Sequence, residues 1–153
     1  MKLRVYVDTS VIGGCFDEEF KEASTTLLDT FKRGKMTMVL SELTKLELQG
    51  APKKVQAVLE EIPMEHIKHV ELTEETVTLA RHYIDEGVIG EEKLVDAEHI
   101  AIATVTRVDV LVSWNFSHIV NLQRIRGFNA VNLKYGYPPL EIRSPREVIS
   151  YEA

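Results

Sequence analysis

Apolar positions along the chain fall into two alternating rhythms. Leu3-Arg4-Val5-Tyr6-Val7 is a short β-branched and aromatic run, the pattern of a buried strand. Phe16, Phe20, Ala23, Leu27 and Phe31 then recur at helical spacing, with Gly34 as a stop. Met36 to Leu40 predicts a second strand, and Ser41 can cap a helix running through Glu42, Leu43, Leu46 and Glu47 to Gly50. Pro52 suits the first turn of a helix carrying Val55, Val58, Leu59 and Ile62. Thr73 can cap another, with Val77, Ala80 and Ile84, that stops near Gly87. A helix over 92–106 sets Leu94, Ala97, Ala101 and Val105 on one face, and Val110-Leu111-Val112 reads as a third strand. Ser117 can cap a helix through Ile119, Leu122 and Ile125 that stops near Gly127, after which Ala130 to Leu133 reads as a last short strand. Ser144-Pro145-Arg146-Glu147 combines an N-cap, a first-turn proline and a glutamate three residues on, which opens a final helix.

Strands separated by helices predict an α/β fold: three layers, α/β/α, around a central parallel sheet. Residues 134–145 are turn-rich and read as a tail, and no repeat or linker interrupts the chain, so residues 1–153 are expected to form a single domain. The length of 153 residues agrees, at roughly 100–200 residues per domain. Cys15 is the sole cysteine, which excludes an intrachain disulfide framework and fits a reducing compartment. No apolar run approaches the roughly 18–20 residues of a membrane span, and the N-terminal apolar stretch is too short for a signal peptide. The expected location is therefore cytoplasmic. Eighteen Lys and Arg against 24 Asp and Glu give a net charge of −6. That balance argues against coating nucleic acid by charge alone, and leaves room for an enzyme that meets RNA through a local basic patch and a metal.

In open parallel sheets the functional crevice lies beyond the carboxyl ends of the strands. Asp8 directly follows the first strand, either as the cap of a turn or as an acid in that crevice. Asp96 shares a helical stripe with Ile100 and Ala103, where a carboxylate must find a cation, hydrogen-bond donors or a metal. Glu47 borders an apolar face beside Leu43 and Leu46, and by itself reads as a solvated helix residue. Glu42 competes with it but is explained by its place at a helix start. The exit of the third strand carries Ser113 and Asn115 to the same crevice. Asn115 also fits the cap of the following helix, and Trp114 and Phe116 fit core or rim better than base-stacking platforms. Converging carboxylates repel unless a cation sits between them. Oxygen donors with few His or Cys suit Mg²⁺ or Mn²⁺, and such a site serves metal-assisted hydrolysis of phosphodiesters.

Other residues are assigned plainer tasks. His66 and His69 read as exposed loop residues, His99 as a surface or half-buried neighbour of Asp96, and Cys15 as a packing residue. Lys45, among several basic clusters, has a place on the crevice rim. Asp109 precedes the third strand and belongs at the opposite end of the sheet. An aspartyl-nucleophile phosphohydrolase would show Asp-x-Asp after the first strand, where this chain has Ser10 at the second position; a receiver-type phosphoacceptor would need paired acids that are not there.

Four segments, Val7-Asp8-Thr9-Ser10-Val11, Leu43-Thr44-Lys45-Leu46-Glu47-Leu48, Asp96-Ala97-Glu98-His99-Ile100-Ala101 and Leu111-Val112-Ser113-Trp114-Asn115-Phe116, run in the order found in PIN domains. Over residues 1 to about 121 the chain resembles that superfamily, and within it the VapC-like toxins of toxin–antitoxin systems. The resemblance implies a Mg²⁺- or Mn²⁺-dependent endoribonuclease with Asp8, Glu47 and Asp96 as acidic metal-site residues and Ser10 supporting Asp8. It places Asn115 where many members have a fourth acid. That departure removes one charge and implies single-metal action or reduced activity, and it keeps open a PIN-like module that binds RNA or protein with weak or no catalysis. The resemblance further implies RNA as substrate, an antitoxin protein as partner, and a homodimer as an expected assembly.

Overall fold

The computed structural model describes residues 2–152. Five strands, β1 (Arg4–Val7), β2 (Thr37–Ser41), β3 (Ile67–Val70), β4 (Val110–Val112) and β5 (Ile142–Arg143), form one sheet in the order β3-β2-β1-β4-β5. Every pairing is parallel. Parallel neighbours need crossovers, and helices supply them: α1 (Thr9–Gly13), α2 (Lys21–Lys32), α3 (Glu42–Gln49), α4 (Lys53–Glu60), α5 (Glu74–Asp85), α6 (Leu94–Thr106), α7 (Leu122–Lys134) and α8 (Pro145–Glu152). This is the three-layer α/β/α arrangement the sequence predicts.

Side chains on a strand point alternately to opposite faces, so a sheet covered on both sides is apolar at successive positions. Tyr6, Val39, Leu111 and Ile142 pack into one layer with Leu79, Ala80, Tyr83, Ile100 and Phe128 of α5, α6 and α7. Val5, Val7, Met38, Leu40, Val110 and Val112 face the other layer, with Ile12, Leu27, Phe31, Val55 and Val148. The central strand β1 is buried on both faces, which fixes its carboxyl end in the middle of the sheet edge.

The caps at Ser41 and Thr73 fall where the residues predict them. Ser41 Oγ accepts the Thr44 amide at 3.0 Å, Thr73 forms a reciprocal box with Thr76, and Gly50 ends α3. Several readings need correction. Ile67 to Val70 is a strand, not a loop: its edge position leaves Lys68 and His69 exposed, so no apolar run marks it, and His66 Nδ1 bonds the Phe31 carbonyl at 3.0 Å. The stripe from Phe16 to Phe31 is broken by a turn at 17–20, and α2 begins only at Lys21. Asn121, not Ser117, caps α7, accepting the Arg124 amide at 2.9 Å, and α7 runs on through Gly127. Ala130 to Leu133 is therefore helix, and the last strand is the two-residue β5, which lies inside the turn-rich stretch 134–145 and makes it part of the sheet rather than a tail.

Gly127 misleads because it serves packing rather than termination. A Cβ there would stand 2.7 Å from Val88 Cγ1. Gly127→Ala should therefore lower stability by about 1 kcal/mol, overpacking outweighing helix propensity, whereas Gly127→Ala with Val88→Ala should recover that propensity. Urea unfolding midpoints check this; a stabilised single variant would contradict the close approach.

Candidate functional site at the carboxyl edge of the sheet

Asp8 leaves β1 in an extended conformation (φ −92°, ψ 175°) and caps α1, Oδ1 accepting the Val11 amide at 3.3 Å. The same residue is 5% exposed. Ser10 Oγ donates to Oδ1 at 2.6 Å and Ser113 Oγ donates to Oδ2 at 2.5 Å. Each serine is itself held: the Trp114 amide donates to Ser10 Oγ and the Asn115 amide to Ser113 Oγ, both at 2.9 Å. The exits of β1 and β4 are thus stitched together through one carboxylate. Burial pushes the Asp8 carboxyl above its ordinary range, against the pull of His99, the two serines and the Val11 amide.

Glu47 reaches the same edge from α3, the helix that Ser41 opens at the end of β2. Its Oε1 accepts from Thr9 Oγ1 at 2.8 Å and from His99 Nε2 at 2.6 Å. Behind His99, the Tyr6 hydroxyl lies 2.6 Å from Nδ1 and 2.8 Å from Ser41 Oγ, while Thr44 Oγ1 donates to the Val7 carbonyl at 3.2 Å. Burial alone would raise Glu47, but the hydrogen bond and charge of His99, with the Thr9 hydroxyl, hold its carboxyl below the ordinary range. His99 is 2% exposed, which corrects the expectation of a surface or half-buried side chain: a buried tyrosine and a carboxylate satisfy both ring nitrogens.

Asp96 sits half-buried in the first turn of α6, one turn before His99. Burial raises its carboxyl; His99, His118 and Lys93 oppose that, and the negative charge of Glu47 adds to it. His118 belongs to the loop after β4, and its Nδ1 is buried without a hydrogen-bond partner among the described residues. Asn115, the position read as a substitute for a fourth acid, lies half-buried with its Oδ1 accepting the His118 amide at 2.9 Å, which is the capping alternative in a local turn. Nothing in the chain's pattern of residues marks His118. His99 carries one signal, its place on the helix of Asp96, but none for the bridge to Glu47.

Asp109 accepts the Arg4 amide at 2.8 Å at the opposite end of the sheet, as its place before β4 requires. Lys45 lines a groove with Glu42 and His69. Cys15 is half-buried, and burial raises its thiol.

Asp8, Glu47 and Asp96 offer hard oxygen donors from three elements, and the charge of Glu47 already weighs on Asp96, which is the chemistry Mg²⁺ or Mn²⁺ requires. As placed, no three His, Cys, Asp or Glu side chains among the described residues stand close enough to enclose a metal. Glu47 is turned to His99 and Thr9, with 36% of its side chain exposed.

A parallel sheet with acids beyond its carboxyl edge defines a class of α/β protein whose function sits at that edge. Solved structures narrow the fold further. The chain is similar to FitAcB from Neisseria gonorrhoeae (16% identity, TM-score 0.58, 93% of this chain and 98% of that one). It is similar to VapC20 from Mycobacterium tuberculosis, described as a sarcin-ricin loop cleaving toxin (13%, TM-score 0.53, 90% and 98%). It is also similar to the DNA-bound VapBC from Salmonella typhimurium (17%, TM-score 0.53, 94% and 98%). The fold is the PIN-like fold of VapC toxins. No family model and no curated protein matches the chain.

A raised carboxyl lends stability fully below its unfolded-state value, and that contribution is lost as pH rises through the folded-state value. Neutralising Asp8 should therefore stabilise the metal-free protein at neutral pH. Asp8→Asn should gain on the order of 1 kcal/mol, a gain that fades in acid. Thermal unfolding in chelator at both pH values reads it; a destabilised Asp8→Asn at neutral pH would mean that the carboxylate is structural.

Proposed function

We propose that the chain is a Mg²⁺- or Mn²⁺-dependent endoribonuclease, the toxin of a toxin–antitoxin pair. The observation that carries this reading is the Asp8 carboxylate, buried at the end of the central strand and answered by neutral hydroxyls, with Glu47 and Asp96 brought to the same edge. The shared fold supports it, since one structure of that fold is described as a loop-cleaving toxin and another is a VapBC complex. An antitoxin and RNA are the partners this reading requires, and a homodimer is the assembly it expects.

Asp8, Glu47 and Asp96 would hold the cation. When bound, such an ion activates water and offsets the charge that builds on the phosphoryl oxygens. Ser10 and Ser113 fix both oxygens of Asp8, so it meets a ligand without rearranging. Tyr6 and His99 hold Glu47 from behind and set its charge. Asn115 adds no charge at this edge. Its amide oxygen is committed to the His118 amide, and that observation favours the second reading, a module that binds RNA or protein and cuts weakly.

The test is cleavage of an RNA panel with Mn²⁺. Asp8→Asn and Asp96→Asn should each lower the rate by at least about a hundredfold, on the scale of losing a key electrostatic group, and chelator should abolish cutting. Asn115→Asp should raise the rate if the missing charge limits it. RNA retained by the protein but left uncut under every condition would favour the module.

A further inference from the structure

Next to the acidic edge lies a cavity of about 330 Å³ that the proposed chemistry does not use, in the size range of small-ligand sites. It opens beside Ser10, the residue that fixes Asp8, and is bounded by Phe20 and Trp114, by Asp17 and Asn115, and by the backbone at Gly13 and Gly14. Two aromatic side chains line it: Phe20 stacks on Trp114 at 4.2 Å between ring centres, Trp114 is 5% exposed, and Phe116, 46% exposed, lies 6.1 Å from Trp114. Trp114 is anchored by its Nε1 donating to Ser24 Oγ at 2.9 Å and by the Arg146 guanidinium 4.9 Å from its ring. Gly14 is what lets this wall close, since a Cβ there would stand 2.7 Å from Trp114 Nε1.

The polar groups are as particular as the walls. Asp17 is an acceptor whose orientation is set by the Glu19 amide donating to Oδ1 at 2.8 Å. Asn115 has its oxygen engaged by His118, which leaves its NH₂ as a donor. An acceptor carboxylate and a donor amide lining one cavity match a guanine, whose N1–H and N2–H₂ are donors and whose O6 and N7 are acceptors. Adenine offers one amino donor beside N1, and the pyrimidines are smaller. Bases of single-stranded RNA are read along their edges in this manner, by hydrogen bonds from side chains.

We infer that this cavity is a guanine-selective base subsite that holds the nucleotide flanking the phosphate at the acidic edge. The inference deepens the ribonuclease reading and rests on it for the meaning of that phosphate. It can nevertheless be measured without cleavage, because Trp114 is the sole tryptophan of the chain. Indole emission followed during titration with the monophosphates of guanosine, adenosine, cytidine and uridine should saturate with the guanine nucleotide about tenfold more tightly than with the others, the discrimination of one bidentate pair. Gly13 has helical backbone angles, and a Cβ there would meet nothing within 4 Å, so Gly13→Leu should fold normally and abolish the response by filling the cavity. Asp17→Asn should keep binding and lose the preference. Equal responses to all four nucleotides, no saturable response, or wild-type binding by Gly13→Leu each overturns the inference. So does competition by a phenylalanine amide where the nucleotides have no effect, which would make the cavity a pocket for a protein side chain. If RNA is cut in a manner that needs Asp8 while Gly13→Leu and Asp17→Asn leave its sequence preference unchanged, the subsite fails and the nuclease stands. If guanine binding holds while no RNA is cut, the subsite stands and the nuclease fails.

Discussion

A carboxylate kept out of water at the end of β1 sets the terms for its surroundings. Burying a charge is costly unless it is paired or well bonded. Around Asp8 the answer comes from His99, two serine hydroxyls and a backbone amide, and among the described residues not from a lysine or arginine in contact. Hydroxyls orient the carboxylate without cancelling its charge. Its carboxyl is left above the ordinary range, and perturbed acids of this kind gather at functional sites. A purely structural aspartate would be better served by a direct cation or by full exposure.

The topology explains why other acids share this edge. β1 lies between β2 and β4, so three adjacent strands leave the sheet on the same side. The exit of β2 turns at Ser41 into α3 and delivers Glu47; the exit of β4 delivers Ser113 back to Asp8. Helix α6 contributes Asp96 and His99 one turn apart, and His99 ties α6 to both β1 and α3 through Tyr6 and Glu47. The packing that holds the layers together is thus the same set of bonds that orients the acids. The histidine fixes Glu47 on one side while leaving its exposed side open to a ligand.

Much of this is legible in the residues. Asp8, Ser41 and Thr73 carry local signals for strand exits and helix starts that side-chain hydrogen bonds decide, Gly50 ends α3, and Pro145 opens α8. What sequence could not carry is set by tertiary context. β3 and β5 are short edge strands with polar, exposed positions, so they lack the apolar run of β1. α7 continues through Gly127 because Val88 packs against it, and it buries Asn132 against Tyr83, where a polar residue argues against helix core. His99 and His118 look like ordinary surface residues until α6 and the loop after β4 are folded together.

The central claim is that Asp8, Glu47 and Asp96 share one divalent cation. Calorimetric titration of the chelator-stripped protein with Mn²⁺ is its most direct measure. The account predicts a saturable site in the wild type that is lost in Asp8→Asn and in Asp96→Asn while both variants remain folded. Wild-type Mn²⁺ affinity in either variant, or no saturable uptake by the native chain, would contradict it.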